Sequence, residues 1–84
     1  MHEVYIIQSE KDQSYYVGEA PNAEGRLKFH NQGKQRYTKA RMPWRLVYKE
    51  KFTNRHEAVI REKEIKNKKS KKYIEWLLKI KVAG

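Results

Sequence analysis

Apolar positions in this chain come in short clusters whose spacing changes along the sequence. Val4-Tyr5-Ile6-Ile7 and Tyr15-Tyr16-Val17 are β-branched and aromatic runs, which predicts two strands. The polar stretch Ser9–Ser14 between them predicts a hairpin turn, and Gly18 closes the second strand. Asn22 reads as a helix N-cap and Gly33 as a C-terminal stop, so a helix is expected from Ala23 to about Asn31, with a Glu24–Lys28 pair at i, i+4. Gly25 within it is unfavourable by ~1 kcal/mol relative to Ala. Gln35–Pro43 is expected to be a basic loop. Trp44–Phe52 predicts a third strand, with Leu46, Tyr48 and Glu50 on one face and Val47 on the other. Asn54-Arg55-His56-Glu57 has the form of a capping box, with Thr53 as the alternative cap, and starts a helix reaching about Asn67. Ser70 caps a last helix whose stripe is Tyr73, Ile74, Leu77, Leu78 and Lys81, while Trp76 lies off the stripe and is expected to seal an edge.

The order ββαβαα predicts an α/β protein of the α+β type. Consecutive strands pair into a small three-stranded, mostly antiparallel sheet with helices against it. The 84 residues are expected to form a single domain over 1–84, ordered from about 2 to 80, with Val82–Gly84 frayed.

Two placements in this pattern ask for a chemical reason. Arg26 and His30 are four apart in the first helix and share a face; an exposed polar face is the plain explanation. Glu62 falls inside the arc of Ala58, Val59 and Ile65, the inward side of the third helical segment. A carboxylate there is costly unless paired or metal-bound. Its plain explanation is an ion pair, to Lys66 at i+4 or to an arginine across the fold.

Charge narrows the class of partner. The net charge is +10, but it is uneven. Residues 1–25 carry one base and five acids, while residues 26–84 carry 19 bases and five acids. A polyanionic partner is favoured, nucleic acid ahead of a membrane surface. The basic loop offers Arg36, Lys39 and Arg41, and the run KNKKSKK offers Lys66, Lys68, Lys69, Lys71 and Lys72 for phosphate contact; that run also reads as a solvated helix junction. With no cysteine there is no disulfide and no Cys-based zinc site. Val4–Ile7 is too short for a signal peptide or a membrane span, so a cytoplasmic protein with no membrane partner is expected. His2, His30 and His56 lack metal-ligand spacing, and no G-x-G or G-K-[ST] phosphate loop is present. The aromatic residues are expected mostly to fill the core.

Taken together, Val4-Tyr5-Ile6, Tyr16-Val17-Gly18, Asn22, Arg26, His30 and Glu57-Ala58 leading to Glu62 resemble the GIY-YIG nuclease domain, nearest to its small stand-alone bacterial members. Arg26 to Gly33, RLKFHNQG, and Tyr37-Thr38 running to Pro43-Trp44-Arg45-Leu46-Val47-Tyr48 extend the likeness over nearly the whole chain. The resemblance implies a metal-dependent endonuclease that hydrolyses phosphodiester bonds in DNA with low sequence specificity. It implies one divalent ion, Mg2+ or Mn2+, held by Glu62. It implies catalytic positions at Tyr5, Tyr16, Arg26, His30 and Glu62: Arg26 steadies the phosphate, and either Tyr5 or His30 takes the proton of the attacking water. The sequence departs from the family at Glu3, where Gly gives the first motif its name, and at Glu19-Ala20-Pro21. Glu19 is expected either to repel substrate or to offer a second metal contact. A non-catalytic nucleic-acid-binding module of the same fold is the alternative, and an interaction domain made soluble by its charge is a third reading. Oligomeric state and true substrate stay open at this point: duplex, branched, damaged or single-stranded DNA, or RNA.

Overall fold

The first strand, β1 (His2–Ser9), is apolar without alternation because it is covered on both faces. In the computed structural model, which describes residues 1–83 and side chains through residue 80, β1 is the centre of a three-stranded sheet. It pairs antiparallel with β2 (Tyr15–Ala20) on one side and with β3 (Trp44–Phe52) on the other, giving the order β2-β1-β3. The expectations for the Lys81 side chain and for the chain end at Val82–Gly84 fall outside the described side chains.

Successive β1 residues point to opposite faces and build two cores. Val4 and Ile6 join Val17, Tyr48, Ala58, Ile65 and Leu77 beneath α3 (Arg55–Lys68) and α4 (Lys71–Ala83). Tyr5 and Ile7 join Ala20, Ala23 and Trp44, with Leu27 of α1 (Ala23–Asn31) packed alongside. Helices thus lie on both faces of the sheet.

The face assignment expected for β3 is corrected by a bulge. Ile6 pairs with Tyr48 but Ile7 pairs with Leu46, so Val47 is an extra residue on β3. Inserting one residue reverses the alternation. Leu46 therefore packs with the α1-side cluster, whereas Val47 and Tyr48 pack with the α3-side cluster. Beyond the bulge Tyr48 and Glu50 do share a face, joined by a hydrogen bond from the Tyr48 hydroxyl to Glu50. Arg61 of α3 grips Glu50 with Nε at 2.9 Å and Nη2 at 3.0 Å, a two-point contact that a guanidinium makes with a carboxylate.

Helix ends follow the expected chemistry. The Asn22 side chain accepts from Gly25 N at 2.9 Å, and Gly33 follows the α1 C-cap Gln32 with φ of 73°. Asn54, rather than Thr53, caps α3 by accepting from Glu57 N at 2.9 Å, and Thr53 donates to the Glu57 carboxylate at 3.0 Å. Lys69 takes a left-handed conformation that ends α3, and Ser70 Oγ accepts from Tyr73 N at 3.1 Å to open α4.

Two expectations fail. The basic loop contains a helical turn, α2 (Arg36–Lys39), anchored by the fully buried Thr38. Trp76 is 53% exposed, with its ring 5.7 Å from that of Tyr73, and it does not seal an edge among the described residues.

The acidic beginning of the chain is largely neutralised. Glu19 pairs with His2 and Arg55, Asp12 with Arg41, and Glu3 and Glu24 with Lys49. The surplus lysines and arginines remain elsewhere, so the positive charge belongs to the later segments.

Gly25 sits in the first turn of α1 with the nearest Asn22 atoms 3.6 Å from where a Cβ would lie, which is ordinary contact. Gly25→Ala is expected to raise unfolding stability by about 0.5–1 kcal/mol through helix propensity. Urea denaturation at neutral pH measures it; a loss of stability would mean that the turn depends on glycine.

Candidate active site

Tyr5 is on the central strand and pairs with Gly18 of β2. A Cβ at Gly18 would lie 2.4 Å from the Tyr5 hydroxyl oxygen and 2.5 Å from Cζ. The Tyr5 ring therefore crosses β2 at the one residue without a side chain. Its hydroxyl meets His30 Nε2 of α1 at 2.9 Å. Both residues are buried.

His30 is held from its other side. Nδ1 lies 2.9 Å from Thr38 Oγ1, and that hydroxyl donates to the Gln35 carbonyl at 3.3 Å. With the Thr38 proton directed at Gln35, Nδ1 carries the imidazole hydrogen and Nε2 accepts from Tyr5. Burial, and then the Arg26 charge, bring His30 down to about 4, so it is neutral at pH 7. Burial, reinforced by Tyr16, raises the Tyr5 phenol above its ordinary value; Arg26 opposes this and Glu62 and Glu19 add to it. Arg26 and His30 thus do not make an exposed polar face: His30 is buried and Arg26 is half-buried.

Around this pair stand the other residues singled out from the sequence. The half-buried Tyr16 ring lies edge-on to His30 at 5.1 Å, and its hydroxyl accepts from Gln35 Nε2 at 3.0 Å. The Arg26 guanidinium lies 5.1 Å from the Phe29 ring and, among the described residues, has no carboxylate partner. It is a cation near Tyr5 and His30 available to an incoming anion. Glu62 comes from the opposite face of the sheet. Helix α3 runs beside β2, with Arg55 near its start pairing with Glu19 at 3.7 Å and Lys66 lying 5.6 Å from the Tyr16 ring. Glu62 lies between them on α3, and its charge helps to raise the Tyr5 pKa. Its side chain is 19% exposed and its Oε2 pairs with Lys66 Nζ at 3.1 Å, the i, i+4 pair weighed from the sequence.

The basic residues divide. Lys66, Lys69 and Lys71 line one groove, and Arg41 lies 4.9 Å from the ring of Tyr37, which is also in that groove. Lys68 turns away to the Tyr73 ring at 5.3 Å. Arg36, Lys39 and Lys72 are exposed.

Comparison with known proteins assigns the chain. The model of the GIY-YIG catalytic domain matches residues 1–74. The chain belongs to the GIY-YIG family. A UPF0213 protein of Staphylococcus haemolyticus is 50% identical over 66 residues, covering 77% of this chain and 79% of that one. A UPF0213 protein of Streptococcus pneumoniae is 38% identical over 78 residues, covering 90% and 79%. The solution NMR structure of a UPF0213 protein from Bacillus halodurans superposes with a TM-score of 0.61 at 37% identity, covering 95% of this chain and 84% of that one. These relatives are small bacterial proteins, and the family is one of nucleases acting on nucleic acid.

Within this GIY-YIG domain the departures have structural explanations. Glu3, where the motif name has glycine, is buried, and its Oε1 accepts from Ala23 N at 2.7 Å at the start of α1. A carboxylate there suits the positive end of the helix. Glu19 is engaged by His2 and Arg55, which weighs against the second metal contact expected for it. Among the described residues no three potential His, Cys, Asp or Glu ligands converge, and no helix is long and apolar enough to cross a membrane. A divalent ion fits Glu62 as a hard oxygen donor whose described pairing is with Lys66 alone. Such an ion would take its remaining contacts from water and phosphate oxygens, as Mg2+ commonly does.

Sequence reasoning gave no role to Gln35 and Thr38, which hold Tyr16 and His30, or to Asn31. The Asn31 side chain accepts from Trp44 N at 2.7 Å and donates to its carbonyl at 2.9 Å, locking α1 to β3. Their polar identity and their place in the RLKFHNQG–YT stretch were the only signals.

Two outcomes are expected. Gly18→Ala forces the Tyr5 ring aside, destabilises the protein by about 1–3 kcal/mol through overpacking, and breaks the Tyr5–His30 hydrogen bond; denaturation together with the His30 imidazole NMR signal reports both, and an unchanged signal would refute it. For His30, the native pKa of about 4 lies below the ordinary 6.5. The unfolded chain then binds the proton first, so His30's contribution is full above pH 6.5 and is lost as pH falls toward 4. The difference in stability between wild type and His30→Gln should therefore shrink by up to about 3 kcal/mol across that window, measured by urea denaturation at a series of pH values.

Proposed function

We propose that this chain is a divalent-metal-dependent endonuclease that hydrolyses phosphodiester bonds in DNA, using Tyr5, Tyr16, Arg26, His30 and Glu62. One observation carries the reading: an Arg26 without a carboxylate partner beside a buried Tyr5–His30 hydrogen bond. Hydrolysis adds water to phosphorus, expels an alkoxide and concentrates charge on the phosphate oxygens. Arg26 binds those oxygens and strengthens its hold as charge develops. Tyr16, whose hydroxyl proton is not committed to Gln35, donates to a phosphate oxygen.

The proton of the attacking water needs a base. A phenol raised by burial is a poor phenolate at neutral pH. The hydrogen bond supports a relay instead: the Tyr5 oxygen receives the water's proton as its own passes to His30 Nε2. His30 is neutral and able to accept. Burial is the larger cause of the low imidazole pKa and the Arg26 charge the smaller; phosphate bound at Arg26 offsets the smaller one, which makes His30 a somewhat stronger base. Glu62 would hold the ion, Mg2+ or Mn2+, and the ion would supply Lewis-acid stabilisation of the charge that develops on the phosphate. Phosphate contact by Arg36, Lys39, Arg41, Lys66, Lys69, Lys71 and Lys72 supplies affinity with little sequence choice.

The Lys66–Glu62 ion pair favours a second reading, a nucleic-acid-binding module without turnover, because an ammonium already occupies one Glu62 oxygen.

The test is a cleavage panel with Mg2+ or Mn2+ over supercoiled plasmid, single-stranded circle, and branched and flapped duplexes. Wild type is expected to cut at least one substrate, with Arg26→Ala and Glu62→Ala each reducing the rate by about 10²–10³-fold, the typical cost of removing one charge-stabilising group. Cutting that survives both substitutions, or no cutting of any substrate, overturns the assignment.

A further inference from the structure

Beside the candidate active site lies a groove whose apolar floor and Tyr37 wall the chemistry above does not use. It has a volume of about 670 Å³ and runs between the free edge of β2 and the α3–α4 junction. That volume falls in the roughly 300–1,000 Å³ range of sites that enclose a small organic molecule. The groove shares Tyr16 and Lys66 with the active site and contains none of Tyr5, Arg26, His30 or Glu62. It therefore adjoins the reacting centre and opens from it at Tyr16 and Lys66.

The lining combines two characters. Tyr15, Val17, Ile65 and Ile74 give it an apolar floor, and Lys66, Lys69 and Lys71 a cationic rim. Tyr37 stands at its wall 55% exposed, with its ring 5.9 Å from that of Tyr16 and the Arg41 guanidinium 4.9 Å from its centre. The acid of the groove, Asp12, is already paired with Arg41 at 3.2 Å, so it adds little repulsion. An exposed aromatic ring beside a lysine rim is the arrangement on which bases stack while their phosphates are held by charge. A base inside a duplex has both faces covered by its neighbours; only an unpaired base can offer one to Tyr37.

We propose that this groove is a subsite for an unpaired nucleotide adjoining the scissile phosphate, so that the substrate is single-stranded DNA or the unpaired part of a flap. The inference rests on the nuclease reading for the word scissile, but the binding it describes can be read without turnover.

The experiment measures fluorescence polarisation in EDTA with a short labelled oligothymidine, the same strand annealed to its complement, a duplex with a single-stranded flap, and an oligouridine of equal length. The single strand and the flap are expected to bind about tenfold or more tightly than the duplex. Tyr37→Ala should bring the ratio of duplex to single-strand Kd close to one, and Tyr37→Phe, which keeps the ring, should preserve it. Equal binding of duplex and single strand by wild type, or a Tyr37→Ala loss that is the same on both, overturns the subsite. Tighter binding of the oligouridine overturns the choice of DNA. Because metal is absent, a failure to cleave leaves this result readable; conversely, cleavage confined to plain duplex would keep the nuclease and remove the subsite.

Discussion

The Tyr5 ring lies across Gly18 with its hydroxyl on the His30 imidazole, and most of the candidate site is arranged around that crossing. It binds the central strand to α1. It requires β2 to be without a side chain at one residue, and it brings the phenol within reach of the Glu62 charge on α3. A buried tyrosine hydroxyl and a buried imidazole are each costly without a partner. Here each satisfies the other, and Thr38 and Gln35 complete the chain of hydrogen bonds, so no buried polar side-chain atom among the described residues lacks a partner.

Electrostatics follows the same division of labour. Four acids in the first part of the chain are spent on ion pairs that fasten elements together: Glu19 to Arg55 of α3, Asp12 to Arg41 after α2, and Glu3 and Glu24 to Lys49 of β3. Arg26 is left out of these pairs. A cation without a carboxylate, next to a neutral imidazole, is a poor arrangement for stability alone and a good one for receiving a phosphate. Lys66 is more ambiguous, because it touches both Glu62 and the Tyr16 ring and so couples the carboxylate to the groove beyond.

Much of the fold was legible because its signals are local. Asn22, Asn54 and Ser70 cap helices through bonds reaching only three residues ahead, and Gly33 ends α1 with a positive φ that glycine adopts freely. The unbroken apolar run of β1 already suits a strand covered on both faces. The bulge at Val47 was not legible, because an extra residue is defined only against the partner strand. The α2 turn was hidden too: its buried Thr38 is polar and is held by His30, eight residues earlier in the chain. Trp76 stayed exposed because position on a helical wheel says which way a residue points and not whether anything lies there.

The sequence by itself determined the elements, their ends, the excess of positive charge and the set of residue types from which a phosphodiesterase could be assembled, since each depends on neighbours within a few positions. Only the tertiary structure decided how those residues meet. Tyr5, Gly18 and His30 come together through strand pairing and helix packing, and the Glu62 charge reaches Tyr5 from α3, which runs along the edge strand. Tyr37, given no role of its own from the sequence, became the exposed wall of a groove by the same long-range packing. The pKa of His30 belongs to this second class as well, because desolvation and the Arg26 charge act on it only once the chain has closed around it.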